Sequence, residues 1–299
     1  MLGGIIKKNK RDNMKPIFDS TVQDILNTRL NKLEVQFNCD FLFYYGPITD
    51  SLDKPFRDLI EELKAETGSR ETLFIMLNTP GGSAETVERL VKITRHHYKE
   101  VNFIIPDSAY SAGTIFCLSG DKIYMDYSSS LGPIDPQVYN GKNWVPALGY
   151  LDKVEELINK SIAGTISQAE LIMLREQDLA MLRRHEQAKE LTIALLKEWL
   201  VKYKFKNWNT HSSTGNIVTE EEKVQRATEI ARDLGDNKLW HSHGRSIGVA
   251  ALTHILKLKI EDYSTNAHLT KLIRDYNDLI CQYISRNGGE MFFHTKKFI

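Results

Sequence analysis

Three short apolar runs, each ending in a cluster of small residues, constrain this chain most. Leu73-Phe74-Ile75-Met76-Leu77 ends in Asn78-Thr79-Pro80-Gly81-Gly82-Ser83. Val101 to Pro106 leads into Asp107-Ser108-Ala109-Tyr110-Ser111-Ala112-Gly113-Thr114. Lys122 to Asp126 is followed by Ser128-Ser129-Ser130-Leu131-Gly132-Pro133-Ile134-Asp135-Pro136. Apolar runs of this length, bounded by turn residues, read as buried strands. Between them, Ala84 to Tyr98 sets Val87, Leu90, Val91 and Thr94 on one helical face. Ser111 to Leu118 is short and apolar, which suits a buried helix. Strands alternating with helices predict a parallel sheet with right-handed crossovers. In such sheets ligands bind beyond the carboxyl ends of the strands, where the small residues lie.

The flanking sequence extends this pattern. Residues 17 to 33 carry Ile17, Val22, Ile25, Leu26, Leu30 and Leu33 at helical spacing, predicting a helix packed on the domain or on a neighbouring subunit. Cys39 to Tyr45 reads as a buried strand ending at Gly46-Pro47. Asp50 to Glu66 reads as an amphipathic helix with Gly68 as its stop. Beyond Pro136, Tyr139 to Trp144 is turn-rich, and from Val145 the chain reads as mostly helical. One long helical pattern spans Gln168 to Tyr203, and Asn207 to Asn216 is a polar loop with Ser212-Ser213-Thr214-Gly215 at its tip. Thr219 and Glu222 have the spacing of a capping box. Helices follow over Val249 to Leu256 and Thr265 to Ile284, and the chain ends in Gly288-Gly289 and a short aromatic tail.

Composition narrows the function classes. Net charge is zero and the pI is about 7.1, so the chain has no global electrostatic footprint for nucleic acid. Cys39, Cys117 and Cys281 form no CxxC pair and no disulfide framework, which argues against a zinc site and for reduced thiols in the cytoplasm. No uninterrupted apolar window approaches the length of a membrane span. The start of the chain has the wrong order of charge and apolarity for a secretory signal. Residues 1 to 15 read as a mobile basic arm.

Two of the clusters bear on chemistry. Gly81 and Gly82, straight after a strand, can leave backbone N–H groups uncovered for an anion or an oxyanion; a ligand-free tight turn is the blander reading. Ser111 before a small-residue helix is an N-cap or a nucleophile; in the second role the Ala112 N–H would face the developing oxyanion. A serine nucleophile needs a base. No histidine occurs between His97 and His185, whereas Lys153 and Lys160 follow the Gly132 to Pro136 loop. A lysine serves only if burial or its neighbours depress its pKa. Either lysine can equally sit on a solvated helix face. His96-His97 read as surface residues, Cys117 as buried packing, and Ser128-Ser129-Ser130 as a turn. Trp240, His241 and His243 either line a pocket or pack in the core.

Taken together, Leu77-Asn78-Thr79-Pro80-Gly81-Gly82, Ser111-Ala112-Gly113-Thr114 and Leu131-Gly132-Pro133-Ile134-Asp135-Pro136-Gln137 resemble the serine dehydrogenase proteinase family, a relative of signal peptide peptidase A among the Clp-fold serine proteases. The resemblance is clearest from Phe41 to Val138 and traceable to Leu258, where Leu239 to Arg245 is similar to a late family motif. It implies an α/β ClpP/crotonase-like core of repeated β-β-α and βαβ units with a largely helical C-terminal half. The division expected is 1–35 as arm and helix, 36–165 as catalytic core, and 166–299 as a mainly helical region packed on the core or used for oligomerisation.

The resemblance also implies a serine endopeptidase that uses no cofactor or metal and acts on a peptide or protein as a homo-oligomer. Its nucleophile falls on Ser111 and its oxyanion donors on Gly82, Gly81 and Ala112. Its lysine base falls on Lys153, with Lys160 as the alternative. A crotonase-type acyl-CoA hydratase or isomerase, and a non-catalytic oligomeric scaffold, are the competing readings.

Overall fold

The computed structural model describes residues 17–66, 68–139, 144–211 and 214–296. The basic arm expected over residues 1 to 15 lies outside them, as do Ser212 and Ser213 of the expected loop tip.

The apolar runs form the middle of a six-stranded sheet. Helix α1 (Ile17–Phe37) precedes strand β1 (Asp40–Tyr45), and α2 (Asp53–Ala65) leads to β2 (Thr72–Asn78). Helix α3 (Ala84–His97) leads to β3 (Glu100–Ile105). After the short β4 (Ser108–Ala109), α4 (Ala112–Leu118) leads to β5 (Lys122–Met125). Strands β1, β2, β3 and β5 pair in parallel in that order. Along them alternate side chains enter two cores. Phe41, Phe43, Phe74, Met76 and Ile104 meet Leu26, Leu30 and Leu33 of α1 on one face. Leu42, Ile75, Leu77, Phe103 and Ile105 meet residues of α2, α3 and α4 on the other. Because both faces are covered, apolar side chains predominate on both sides of a strand, and the runs read as continuous apolar stretches.

The chain then passes through β6 (Ser130–Leu131) and an antiparallel ribbon of β7 (Gln137–Tyr139) and β8 (Trp144–Pro146). Helices α5 (Ala147–Ile162), α6 (Gln168–Arg175), α7 (Leu179–Trp199), α8 (Glu220–Leu234), α9 (Asn237–Trp240) and α10 (Val249–His254) follow. The single helix expected over 168–203 is instead two. Asp178 restarts the helix by accepting hydrogen bonds from the N–H groups of Ala180 and Met181. A short polar side chain competes for backbone donors in this way, and the periodicity of the apolar residues does not register it. The capping box of α8 is present, with Thr219 and Glu222 bonded reciprocally.

Two late segments close the sheet. Strand β9 (Glu261–Asp262) pairs in parallel with β5, and after α11 (Ala267–Asn287) strand β10 (Phe292–His294) pairs antiparallel with β1. The strand order is β10-β1-β2-β3-β5-β9. The aromatic segment expected as a tail is therefore an edge strand. Phe293 packs on Tyr44 at 4.9 Å between ring centroids, while His294 points the other way to the Tyr276 hydroxyl at 2.7 Å. Three residues are too few to carry a periodic signal. Helix α11 lies beside α1 and buries Ile273, Tyr276 and Ile280 in the same core. Among the described residues, no helix is long and apolar enough to cross a membrane.

Candidate active site

Above the carboxyl edge of the sheet, the small-residue clusters are stitched together by short pairings. Ile48 pairs with Gly82, Thr79 with Ala109, Ala109 with Leu131, and Leu131 with Ile247. Thr79 N–H donates to Ser108 O at 3.0 Å and Tyr110 N–H to Thr79 O at 3.1 Å. The glycine loop and the serine loop are thus fixed side by side before either makes any contact with a ligand.

Ser111 sits at the junction of its loop with α4. Its backbone is at φ 52°, ψ −118°, outside the regions open to side-chain-bearing residues. Its side chain makes no capping bond, so the role of an ordinary N-cap is unfilled. The residue is half-buried, while Ala112 behind it is buried. Such strain persists only where the surroundings over-determine it, and it concentrates at functional positions.

The backbone explains why positions 81 and 82 hold glycine. Gly81 has φ +103°, and a Cβ there would lie 2.8 Å from Ser111 Cβ and 2.6 Å from Tyr110 O. Gly82 has φ +152°, and a Cβ would lie 2.0 Å from Ile48 O. The two amides differ. Gly81 N–H donates to Thr79 Oγ1 at 3.0 Å and is committed within the loop. Among the described residues, the N–H groups of Gly82 and Ala112 have no intramolecular acceptor. Ile48 accepts from Ser83 N–H and donates to Gly81 O, passing on either side of Gly82 and leaving its amide free.

Thr114 ties α4 to the next loop. Its hydroxyl lies 2.8 Å from Ala109 O and 2.9 Å from Gly132 O, and it accepts from Gly132 N–H at 2.9 Å. One hydroxyl proton serves the two carbonyls.

The two lysines lie on α5. Lys153 Nζ is 3.0 Å from Glu156 Oε1, and its side chain is 56% exposed. Lys160 Nζ is 3.0 Å from Glu156 and 2.6 Å from Glu170. Hydrogen bonds that the amine donates to Glu170 and then Glu156 raise the Lys160 pKa, which holds that amine protonated. Glu170, bonded by Lys160 and Ser167, is lowered to about 2. Both ammonium groups are thus paired with carboxylates on the surface of α5.

One pairing was not foreseen. Asp135 of the Gly132 to Gln137 loop is 1% exposed, and its Oδ1 lies 2.7 Å from His243 Nδ1. Gln137 Nε2 donates to its Oδ2 at 3.1 Å. The signal in the sequence is slight: an acid between isoleucine and proline in an otherwise apolar loop.

Elsewhere, Cys117 is fully buried, and that burial pushes its thiol far above the ordinary range, as suits packing and not nucleophilic attack. His96 is exposed at the end of α3. Ser128 and Ser129 bond the Asp126 carboxylate in a turn, and Ser130 enters β6. Trp240 is buried, with its indole N–H on Asp233 O at 2.6 Å. Among the described residues, no group of three or more His, Cys, Asp or Glu could hold a metal ion.

A family model described as ClpP-like SDH-type serine proteinase matches residues 62–252. Two uncharacterized proteins of Methanocaldococcus jannaschii are 39% and 36% identical over 64 residues, which is 21% of this chain and 22% of each relative. The match thus spans about a fifth of the length of those curated relatives. Among solved structures, two of the membrane-bound stomatin-specific protease 1510-N are similar. A lysine-to-alanine variant in complex with a substrate peptide is 17% identical, covers 74% of this chain and 72% of its own, and has a TM-score of 0.43. A serine-to-alanine variant is 16% identical, covers 63% of this chain and 74% of its own, and has a TM-score of 0.36.

Proposed function

The chain belongs to the ClpP-like SDH-type serine proteinases, and from that membership we propose that it hydrolyses peptide bonds with Ser111 as nucleophile. The observation that carries this reading is the pair of free amides, Gly82 and Ala112, beside a serine held in a strained turn. In the reaction proposed, the Ser111 hydroxyl attacks the scissile carbonyl carbon and its proton passes to a neutral lysine amine. The carbonyl oxygen gains the negative charge and accepts hydrogen bonds from the Gly82 and Ala112 amides. That charge exists only after attack, so these bonds favour the transition state over the bound substrate. The tetrahedral intermediate expels the amine, which takes the proton from the lysine, and water then releases the acyl group from Ser111 by the same steps in reverse order.

Gly81, whose amide is occupied by Thr79, contributes space beside the nucleophile. Lys153 is the proposed base. For this its ion pair with Glu156, exposed and therefore weak, must open and the amine must leave solvent for the groove, since only a neutral lysine accepts the proton. Lys160, held by two carboxylates with its pKa raised, is the poorer candidate. The Gly132 to Gln137 loop forms one wall of the peptide groove. β4 and β6 pair in parallel, Ala109 beside Leu131, so the chain leaving Leu131 runs beside the chain leading to Ser111. A peptide or protein substrate, a homo-oligomeric state and a cytoplasmic location complete the reading.

A fluorophosphonate probe tests it. The expected result is a single covalent adduct, mapped to Ser111 by mass spectrometry and lost in Ser111→Ala. An unlabelled wild-type protein, or an adduct on another residue, refutes it.

A further inference from the structure

We propose that His243 is a positioning residue for the peptide groove, holding the Gly132 to Gln137 loop through the carboxylate of Asp135; this rests on the peptidase reading above. The loop has two ends with different anchors. At its start, Leu131 exchanges hydrogen bonds of 3.0 and 2.9 Å with Ile247, and Gly132 is fixed to the Thr114 hydroxyl on α4. Thr114 lies on the first turn of the helix that Ser111 opens, so this end is in register with the nucleophile. In the middle, Ile134 N–H donates to Leu234 O at 3.1 Å. Further on, the side-chain anchor is Asp135.

A carboxylate buried to 1% exposure needs donors, because an unpaired charge at that depth is strongly unfavourable. The Gln137 amide belongs to the same loop and does not link the carboxylate to another segment, while backbone holds the far end of the loop through Ala147 N–H on Pro136 O at 2.9 Å and the pairing of Gln137 with Pro146. His243 does tie it, from a turn more than a hundred residues further along the chain. Its Nδ1 must carry the proton in this contact, since an ionised carboxylate only accepts. The turn itself is constrained: His241 has φ +62°, and Arg245 N–H donates to Ser242 O at 3.0 Å. Two residues later the chain reaches Ile247, which pairs with Leu131. The segment 243–247 therefore grips the loop twice, once through backbone at Leu131 and once through a side chain at Asp135. The backbone grip is shared by any sequence; the side-chain grip is specific to histidine and aspartate.

If His243 positions the wall, its loss must affect ligands that reach along the groove and spare those that meet only Ser111. The experiment uses two probes on the full chain: a small fluorophosphonate, and a diphenyl phosphonate carrying an Ala-Ala-Leu tripeptide. In His243→Ala, the rate with the tripeptide probe should fall about tenfold, the worth of one charge-assisted hydrogen bond. The rate with the small probe should stay within about threefold. His243→Asn, whose amide nitrogen falls close to the position of Nδ1, should restore the tripeptide rate. Hydrogen exchange of the Gly132, Ile134, Asp135 and Gln137 amides should quicken in the alanine variant and return in the asparagine variant. Equal loss with both probes would overturn the proposal and make His243 part of the proton relay. Unchanged rates and unchanged exchange would overturn it as well. An unlabelled wild-type protein speaks against the peptidase reading alone, and the anchoring is then decided by the exchange of the loop.

Discussion

Replacing Ser111 by glycine should abolish the proposed chemistry and make the protein more stable. The backbone at φ 52°, ψ −118° costs a side-chain-bearing residue about 1–3 kcal/mol. Glycine adopts it without that cost but brings extra freedom to the unfolded chain, which takes back about 0.4–1 kcal/mol. The side chain contributes little to offset this, since it makes no capping bond and is half-buried. Its Cβ also stands where Gly81 has room for none of its own. The net expectation for Ser111→Gly is a gain of about 1 kcal/mol. Ser111→Ala keeps the Cβ and hence the strain, so it should unfold close to wild type. Urea unfolding followed by circular dichroism checks the pair, with the slopes against urea required to agree so that midpoints compare stability alone. A glycine variant no more stable than the alanine variant would refute the claim that strain is stored at this residue.

Gly82→Ala should be the opposite case, losing more than about 2 kcal/mol and all fluorophosphonate labelling, because its Cβ would fall on Ile48 O in a backbone conformation that disfavours alanine; thermal melts and labelling measure the two effects. Lys153→Ala should abolish labelling at Ser111 with the fold intact, and Lys160→Ala should label like wild type; the reverse pattern in the same assay moves the base to Lys160. Glu34 supplies a pH signature. Burial, against Lys296 at 3.2 Å, raises its carboxyl from 4.5 to about 7. The folded state thus favours the protonated form, so its contribution is complete below 4.5 and is lost as pH rises through about 7. Glu34→Gln should flatten that slope in urea midpoints measured across the same range.

The sheet was legible because burial on both faces makes each of its central strands a continuous apolar run, and Leu73 to Leu77 needs no partner to be recognised. The small residues at the strand ends were legible for a related reason: Gly81, Gly82 and Ser111 occupy positions where the backbone leaves little choice. Pairings between distant segments were not legible. His243 and Asp135 meet through a turn whose course nothing in the local sequence announces, and β10 is too short to show a period. In the sequence Asp178 is one polar residue within a long helical pattern, yet its hydrogen bonds start the second helix. The placement of Lys153 and Lys160 depends on which carboxylates α5 and α6 present to them, which spacing to Ser111 does not encode.

The outermost strand carries a consequence for how the protein is made. On the ribosome β1 emerges well before its outer neighbour, Phe292–His294, and before α11, which packs beside α1 on one of its faces. Until then the nascent chain exposes an unpaired strand edge and leaves Phe41 and Phe43, packed on α1 alone, without the Tyr276 ring of α11, the kind of surface that chaperones bind and that aggregates if left alone. The sheet beneath Ser111 is therefore finished only when translation has passed residue 294. A polypeptide interrupted earlier would carry every residue assigned to hydrolysis and still lack the edge that completes the platform beneath them.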